Sequence, residues 1–485
     1  MYPVSYHTFL FPFLWNCSGK VTPKKFLTHI HPGWKEDLRQ NDFRSDLYNQ
    51  YCYFNEAARS VIFTEEKDAD PVVRNYRFDF GSLFGDETWL AGPKDETNPV
   101  RYRIEKGDRT YSLALNSLRL RLYSTGVGML VYELENYNAA TEADINAIND
   151  YGRRIYMPFT VEGDCSICAD RLAITYPGGE IGSLISGIKP DANSHIRYPD
   201  IIANFLGSAT LERPAAKKEL AIQSILDDRM FVSCVWNNQE FPREMHAFKD
   251  DYVYLTDALE KAPSTPDNTA RRLYELIFID GDGITCRSRT MLREMLEKHV
   301  YHRWLEYSEE YGTVAGISEF SLVTVTSDPI AINAHLVDYT EMAMLVLAQR
   351  ATLLHFEQRI SECARGKGRI GPIQRDYVRF QSKYLLREVT PQQQGIELYR
   401  MLTEHLFIDE MKNDVDGQIA ALFDLEQNSS ERDDNFLLFV LAGVAIFDAV
   451  NYISTGMDWA TAAASVGAII ALLLIYIFNH RNRIK

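Results

Sequence analysis

Two long apolar segments near the C-terminal end constrain this chain most. Residues 436–453 read FLLFVLAGVAIFDAVNYI, and residues 460–478 read ATAAASVGAIIALLLIYIF. At ~1.5 Å per residue, a helix of this length crosses a hydrocarbon core of ~30 Å. The link between the segments, residues 454–459, is so short that two spans must run antiparallel. We therefore expect a C-terminal two-helix transmembrane hairpin.

The charges beside these segments predict the orientation of the hairpin. The second segment is followed by NHRNRIK at residues 479–485, and basic residues that flank a span stay in the cytoplasm. Because a hairpin returns the chain to the side from which it entered, the large region before it is expected in the cytoplasm as well. Trp459 suits the membrane–water interface at the outer end of the link.

A helical pattern leads into the first apolar segment. Residues 390–393 read TPQQ, which is typical of a helix start with a capping box and an early proline. Apolar residues then recur at seven-residue intervals, as in a coiled coil. They are Met401, Ile408, Val415 and Leu422, with Met411 and Leu425 on the companion positions. The pattern is compatible with two structures, a self-associating stalk and a helix packed on its own domain.

A further helix is expected before the stalk, over residues 336–363, where apolar residues recur at helical spacing. Asp338, Glu341 and Arg350 argue against a membrane span there. Residues 366–372 are expected to form a turn, because the spacing of a phosphate-binding loop is absent. We therefore assign residues 331–434 to a helical hairpin and stalk, and residues 435–485 to the transmembrane hairpin with its basic tail.

Residues 1–330 mix strand and helix patterns, which predicts an α+β domain with helices on one face of a sheet and leaves room for two subdomains. The expected elements are a buried strand at the N-terminus, a hairpin over 118–135, a helix that starts at Thr141, a strand over 273–280, a helix over 287–307 and one or two strands over 312–326.

The composition excludes some classes of protein. A net charge of −16 argues against direct nucleic-acid binding, which needs a basic surface to meet the phosphates. Seven cysteines are scattered along the chain, which favours a reducing compartment over a disulfide framework. Cys165 and Cys168 form one close pair, but a structural zinc site needs four ligands. Two buried thiols are the favoured interpretation.

Motifs of catalysis are absent from the sequence, so we do not expect an enzyme. The Gly-rich residues 176–183 favour a tight turn over a phosphate site. Residues 280–283 read DGDG, but the later ligands of a calcium loop are missing, which also favours a turn. Arg153 and Arg154 have two interpretations, either contact with an anion or interaction with the C-terminus of a helix.

Three polar residues interrupt the first apolar segment. Asp448, Asn451 and Thr455 are spaced i, i+3 and i+7, which places them on one face of a helix. Ionisable residues inside a membrane usually face a partner or a water-filled path. Several copies of the chain would stack a carboxylate, an amide and a hydroxyl ring, and carboxylate rings favour cations. The alternative is that Asp448 packs against the second helix.

The order of these parts resembles the CorA family of divalent-cation channels. The resemblance covers roughly the last 150 residues and includes Gly456, Met457 and Asp458, which align with the Gly-Met-Asn signature at the pore mouth of that family. It implies a homopentamer in the bacterial inner membrane, with both termini in the cytoplasm and the first membrane helix lining the pore. It also implies Mg²⁺ as a permeating cation, and the acidic residues Asp448 and Asp458 are its expected contacts.

Two departures from the family pattern refine this expectation. Asp458 replaces the asparagine of the signature, and the soluble region is larger than in ordinary CorA transporters. Both features resemble a divergent CorA-like branch associated with type III CRISPR systems. That branch implies an antiviral effector gated by a small nucleotide messenger made from S-adenosylmethionine and ATP (SAM-AMP), with residues 1–330 as the ligand-sensing domain.

Two other functions remain compatible with the sequence. One is a housekeeping CorA-type transporter of Mg²⁺ or Co²⁺, and the other is a membrane-tethered binding scaffold that conducts nothing. The residues that would bind a ligand cannot be assigned from the sequence.

Overall fold

The computed structural model is an α+β protein with one large sheet and long C-terminal helices. It describes residues 2–16, 26–28, 30–38, 45–64, 71–85, 95–157, 167–185, 188, 198–207, 221–226, 228–250, 268–280, 288–301, 312–366 and 368–455. In the last helix the backbone is described to residue 455, but the side chains of residues 428–438, 440 and 444–455 are not.

Twelve strands form the sheet in this part of the chain. In chain order they are β1 (Ser5–Asn16), β2 (Trp34–Glu36), β3 (Val73–Phe78), β4 (Arg101–Lys106), β5 (Arg109–Tyr123), β6 (Val127–Asn136), β7 (Arg171–Tyr176), β8 (Gly179–Leu184), β9 (Ala221–Ser224), β10 (Phe231–Trp236), β11 (Thr313–Ser318) and β12 (Ser321–Thr326).

The main path of the sheet runs β11-β12-β10-β1-β6-β5-β4-β7-β8. Its neighbours pair antiparallel, except that β10 and β12 are parallel. Each of the long strands β1 and β5 pairs with two shorter strands along one of its edges. Along one edge, β1 pairs first with β10 and then with β9. Along one edge of β5, the first partner is β4 and the second is β3. Strand β3 pairs in turn with β2. The sheet therefore branches at both long strands.

The helices follow the same chain order. They are α1 (Ser45–Tyr53), α2 (Glu56–Ile62), α3 (Gly81–Phe84), α4 (Glu142–Arg153), α5 (Asp200–Ala203), α6 (Glu240–Asp250), α7 (Asn268–Phe278), α8 (Arg289–Lys298), α9 (Pro329–Ala334), α10 (Thr340–Ala364), α11 (Ile370–Lys383), α12 (Gln393–His405) and α13 (Ile408–Thr455). One π-helical turn, His335–Tyr339, joins α9 to α10.

Helices cover both faces of the central strands, so the expectation of helices on one face is wrong. On one face, Asn149 of α4 bonds to His7 of β1. On the opposite face, Glu341 of α10 pairs with Arg119 and Arg121 of β5. The physical reason is visible in β10 and β12, in which every residue is buried, and a strand buried on both sides needs cover on both sides.

The close contact between α4 and β1 depends on a glycine. A Cβ atom at Gly152 would lie 2.7 Å from the ring of Phe9 and 2.8 Å from Ile104. Phe9 and Tyr102 pack with ring centroids 5.8 Å apart, and the hydroxyl group of Tyr102 donates to the carbonyl oxygen of Gly152. This packing fixes α4 on the sheet.

Several elements predicted from the sequence are confirmed. They are the buried N-terminal strand, the β5–β6 hairpin, the helix that starts at Thr141, the β11–β12 pair and the helix over 336–363. The expected strand over 273–280 is wrong, because those residues belong mainly to α7. Its buried residues Ala270, Leu273, Leu276 and Ile277 recur at helical spacing. Apolar and polar residues alternate over a few positions, as in a strand, but the helical spacing of the buried residues over the longer segment determines the structure.

The start of the stalk also differs from the expectation. Helix α12 begins after Gln392, which makes no side-chain cap, and Thr390 instead donates its hydroxyl hydrogen to the carbonyl oxygen of Tyr53. The helix ends at His405, and Phe407 has a left-handed φ of 57°. Met401 therefore lies on α12 while Val415 lies on α13, so the seven-residue series does not follow one helix.

The chain divides into two compact units. The first contains Met1–Arg359 and Arg375–Asn413, and so holds the entire described sheet. The second contains Ile360–Gln374 and Asp414–Lys485.

Candidate functional site

The last helix carries three of the predicted pore residues. Helix α13 runs without a break for 48 residues, and the backbones of Asp448, Asn451 and Thr455 lie in its last turns. The side chains of these three residues lie outside the described set. Gly456, Met457 and Asp458, the predicted pore-mouth motif, and the second apolar segment also lie outside it.

Apolar side chains on α13 are exposed before and within the first apolar segment. Phe423 is 40% exposed, Leu425 is 65% exposed and Phe439 is 76% exposed. By contrast, Val415 and Ile419 are buried. Among the described side chains of α13, these three apolar residues are thus uncovered.

In the described part of the chain, one helical stretch is long and apolar enough to cross a membrane, Pro329–Ala364, with a mean hydropathy of 1.2. However, 56% of its most apolar window is buried inside the protein, and its Glu341 pairs with two arginines. A buried core helix passes the same test, so this stretch is weak evidence for a span.

The end of α4 carries a buried cluster of arginines and aspartates. The guanidinium group of Arg153 donates through Nη2 to Asp150 at 3.4 Å and to the carbonyl oxygen of Ile279 at 3.3 Å. Arg154 donates through Nη1 to Asp228 at 2.7 Å. Arg229 also binds Asp228, at 2.9 Å. The cluster therefore combines three guanidinium groups with two carboxylates.

Arg153 is the least compensated member of this cluster. Its side chain is 2% exposed, and its Nε and Nη1 atoms meet no acceptor among the described residues. Burial lowers the pKa of Arg153 to about 10, and the charges of Arg154 and Arg229 act in the same direction. A buried cation with unused donors favours an anion as its partner. Of the two interpretations that the sequence left open, the geometry favours anion contact.

A groove lies along α4, between that helix and the β4–β5 hairpin. It has a volume of about 400 Å³. Residues of both elements line it, namely Lys106, Asp108, Arg109, Tyr111, Ala143, Asn146, Ala147, Asp150 and Tyr151. Lys106 donates to the carbonyl oxygen of Cys168 at 2.6 Å and lies 5.2 Å from the ring centre of Tyr151. Cations, carboxylates and tyrosines thus share one concave surface.

Asn146 is the most unusual residue in this groove. It is 4% exposed, and its Oδ1 atom meets no donor among the described residues. A buried acceptor without a partner costs ~1–3 kcal/mol, so this atom is a local energetic cost in the packing of α4. The groove is not visible in the sequence, because its two halves are more than thirty residues apart in the chain.

A buried network beneath α4 has the residue types of a catalytic triad. His7 donates through Nδ1 to Asn149 Oδ1 at 2.7 Å and accepts from Ser5 Oγ at 2.8 Å. Cys234 Sγ lies 3.7 Å from His7. All four residues are fully buried. Burial lowers the pKa of His7 to about 4 and raises that of the Cys234 thiol to about 12. We interpret the network as a structural link between β1, β10 and α4.

Three short sequence motifs can be compared with the structure. Residues 176–183 form the β7–β8 hairpin, with Gly178 at φ 86°, so the predicted tight turn is confirmed. Among the described residues no group of three or more metal-ligating side chains occurs. Cys168 is buried and donates to the carbonyl oxygen of Tyr156, while Cys165 and residues 281–283 lie outside the described set.

Comparison of the chain with protein-family models, with curated proteins and with solved structures finds no match. The described residues form a branched twelve-stranded α+β sheet and long C-terminal helices.

Proposed function

We propose that this protein is a CorA-like, homopentameric membrane channel whose cytoplasmic α+β domain binds a small ligand and thereby biases the pore. The observation that supports this proposal is the unbroken helix α13, Ile408–Thr455, of 48 residues. At ~1.5 Å per residue it is ~72 Å long, more than twice a hydrocarbon core of ~30 Å. Such a helix provides a continuous covalent path from the α+β domain to the apolar segment.

The apolar end of α13 supplies the pore in this proposal. Asp448, Asn451 and Thr455 share one helical face, and five copies stack a carboxylate ring below an amide and a hydroxyl ring. Asp458, in the altered Gly456-Met457-Asp458 motif, adds a second acidic ring at the mouth. Acidic rings select cations, so Mg²⁺ and related divalent ions are the proposed permeating species.

The exposed apolar side chains of α13 fit this assignment. Phe423 and Leu425 are available to the same helix of neighbouring subunits, and Phe439 is available to lipid or to a neighbouring helix. The second apolar segment completes the hairpin and returns the basic tail to the cytoplasm. The proposed location is the bacterial inner membrane, with both termini in the cytoplasm.

The buried arginine cluster at the end of α4 is the proposed anion contact of the sensing domain. The Nε and Nη1 donors of Arg153 meet no acceptor among the described residues, and Arg154 lies beside it. On the resemblance to the CRISPR-associated branch, the proposed ligand is SAM-AMP and the proposed role is ion leakage across the membrane of an infected cell. Such a ligand acts only if it binds the open and closed states with different affinity.

Cation flux through proteoliposomes tests the proposal. The full chain is reconstituted, and Mg²⁺ entry is followed with an enclosed indicator in the presence and absence of SAM-AMP. We expect the double change Asp448→Ala with Asp458→Ala to reduce flux by at least about tenfold, because both acidic rings disappear. The matched control is Asp424→Ala, which removes an acid from the same helix outside the apolar segment.

Different outcomes separate the candidate functions. Unchanged flux in the double variant contradicts the pore assignment. Constitutive flux that SAM-AMP does not alter, together with rescue of a magnesium-requiring strain, indicates the transporter instead. A membrane-bound protein that conducts nothing under either condition indicates the scaffold.

A further inference from the structure

We propose that the exposed face of α11 docks on the exposed face of α13 in a second copy of this chain. The first face is basic and the second is acidic. The inference rests on the proposed function, because it names the contact between neighbouring subunits of the proposed homopentamer. Its test measures contact between copies separately from conduction.

Helix α11 presents a basic face to solvent. Its buried residues recur at helical spacing, and they are Ile370, Ile373, Tyr377 and Phe380. On the opposite side, Arg375, Arg379 and Lys383 follow one another at four-residue intervals, and all three are exposed. Arg379 lies 3.9 Å from Asp376, which Arg359 already binds at 2.8 Å. Arg375 and Lys383 form no ion pair with the described residues.

The centre of this basic face is not charged. Val378 is 53% exposed, and Ser382 beside it is exposed as well. An apolar centre within a charged rim is the usual anatomy of a protein–protein contact. The face therefore has a centre that can be covered and a rim that selects an acidic partner.

The complementary charge lies on α13. Glu410, Asp414 and Asp424 are spaced i, i+4 and i+14, which places them on one side of the helix. All three are exposed and form no ion pair with the described residues. Val415 and Ile419 are buried on the other side. One face of α13 thus carries uncompensated negative charge.

The centre of the acidic face consists of small residues. Gly417 and Ala421 are exposed there, and a Cβ atom at Gly417 would meet nothing within 4 Å. Small residues let another helix approach closely, and a side chain such as Val378 fits into the depression that they leave. At ~1.5 Å per residue, residues 375–383 span ~12 Å and residues 414–424 span ~15 Å. The charged rims therefore have similar lengths.

Packing inside one chain leaves both faces available. Helix α11 contacts the beginning of α13 through its buried side, where the hydroxyl group of Tyr377 donates to the carbonyl oxygen of Lys412 at 3.3 Å. A net charge of −16 disfavours nucleic acid as the occupant of the basic face. Because the two faces are different surfaces of one chain, a contact between them is head-to-tail, and such contacts can close into a ring.

Disulfide cross-linking between two full-length copies tests this contact. One copy carries Val378→Cys and a differently tagged copy carries Ala421→Cys, and the two are expressed together and oxidised in the membrane. We expect at least about fivefold more two-tag dimer than in the control, because a disulfide forms only when the Cα atoms approach to ~4.4–6.8 Å. The matched control replaces Val378→Cys with Ala57→Cys, at an exposed position of α2. The unmodified chain gives the background from its own cysteines.

A single chain with both Val378→Cys and Ala421→Cys determines the direction of the contact. A head-to-tail arrangement predicts a ladder of cross-linked species whose largest member counts the copies in the ring. An internal disulfide would instead leave a monomer of altered mobility, and that result would overturn the proposal.

Charge reversal tests the complementarity of the rims. We expect Arg375→Glu with Lys383→Glu in the first copy to reduce the yield of two-tag dimer at least about threefold, because like charges then face each other. Asp414→Lys with Asp424→Lys in the second copy should restore the yield. All four positions are exposed, so the restored yield excludes misfolding as the cause of the loss. Salt at ~1 M should lower the yield of the unreversed pair, because it shortens the screening length to ~3 Å.

The proposal is overturned if the two-tag dimer does not exceed the Ala57→Cys control, or if charge reversal leaves its yield unchanged. In either case, Mg²⁺ flux that depends on Asp448 leaves the channel proposal intact with a different contact between subunits. A cross-linked ring that conducts nothing has the opposite meaning, because the contact then stands in a protein that is not a channel.

Discussion

Glu341 connects α10 to the central sheet through two arginines of β5. Arg121 donates to its carboxylate at 2.7 Å and Arg119 at 3.1 Å, and the three side chains are at most 16% exposed. Nearby, burial and then the charge of Glu341 raise the pKa of Asp338 to about 7. Because Arg119 and Arg121 have little contact with water, the Glu341 carboxylate compensates their buried charges, together with Glu133 beside Arg119.

The change Glu341→Gln is therefore expected to be severe. It leaves two buried guanidinium groups with one carboxylate fewer, and breaking a buried pair in this way costs about 3 kcal/mol or more. Urea unfolding of the full chain in mild detergent, followed by tryptophan fluorescence, measures the loss. Arg379→Ala is the control, because the Arg379 side chain is 77% exposed and 3.9 Å from Asp376. A loss in Glu341→Gln no larger than in that control would contradict this assignment.

Helix α4 begins with a complete capping box. Thr141 Oγ1 accepts from the backbone N–H of Asp144, and the Asp144 carboxylate accepts from the backbone N–H of Thr141. We expect Thr141→Ala to lower the free energy of unfolding by about 1 kcal/mol, because it leaves an orphan N–H group at the helix start. Thr141→Ser keeps the hydroxyl group and should retain most of the stability. The same urea titration distinguishes them, and equal stabilities would show that the cap contributes nothing.

The two threonines that the sequence marked as helix starts show what local patterns can predict. At Thr141 the local hydrogen bonds and the packing of α4 agree, so the prediction is confirmed. At Thr390 the hydroxyl group finds the carbonyl oxygen of Tyr53, which is distant in sequence and therefore invisible to a local pattern. The wrong strand prediction at 273–280 also has a tertiary cause. Burial of Leu273 and Ile277, four residues apart, favours the helical period.

The candidate sites were predictable only in part. Arg153 and Arg154 stand out in the sequence as a basic pair, but their burial and the unused donors of Arg153 depend on Asp228 and Ile279, which lie far along the chain. One feature of the sequence could have drawn attention to Asn146, because it is a polar residue beside the apolar positions of an amphipathic helix. That signal does not reveal the facing hairpin, so the groove required the tertiary structure.

The acid sensitivity of the whole molecule follows from its buried histidines. Burial lowers the pKa of His7 to about 4 and that of His335 to about 3, below the value of 6.5 for an exposed imidazole. His335 lies between the hydroxyl groups of Ser233 and Thr324, which offer no compensating charge. The unfolded chain therefore takes up protons near pH 6.5 that the folded chain takes up only at lower pH.

This difference sets the sign of the pH dependence. The stability contributed by these neutral imidazoles is present above about pH 6.5 and is lost as the pH falls, at about 1.4 kcal/mol per pH unit for each group. Replacing His335 with Gln should reduce the slope of stability against pH by that amount between pH 6 and 4.5. Urea titrations at several pH values measure the slope, and an unchanged slope would show that His335 is protonated in the folded chain.

The order of pairing in the sheet has a consequence for the synthesis of this chain. Strand β1 pairs with β10, and β10 pairs with β12, so the sheet cannot close until residue 326 has left the ribosome. The stretch Pro329–Ala364 follows at once, and by length and composition it resembles a membrane helix. Until it docks on the finished sheet, its apolar surface stays uncovered. Folding without aggregation therefore requires that the sheet forms early and binds this helix at once.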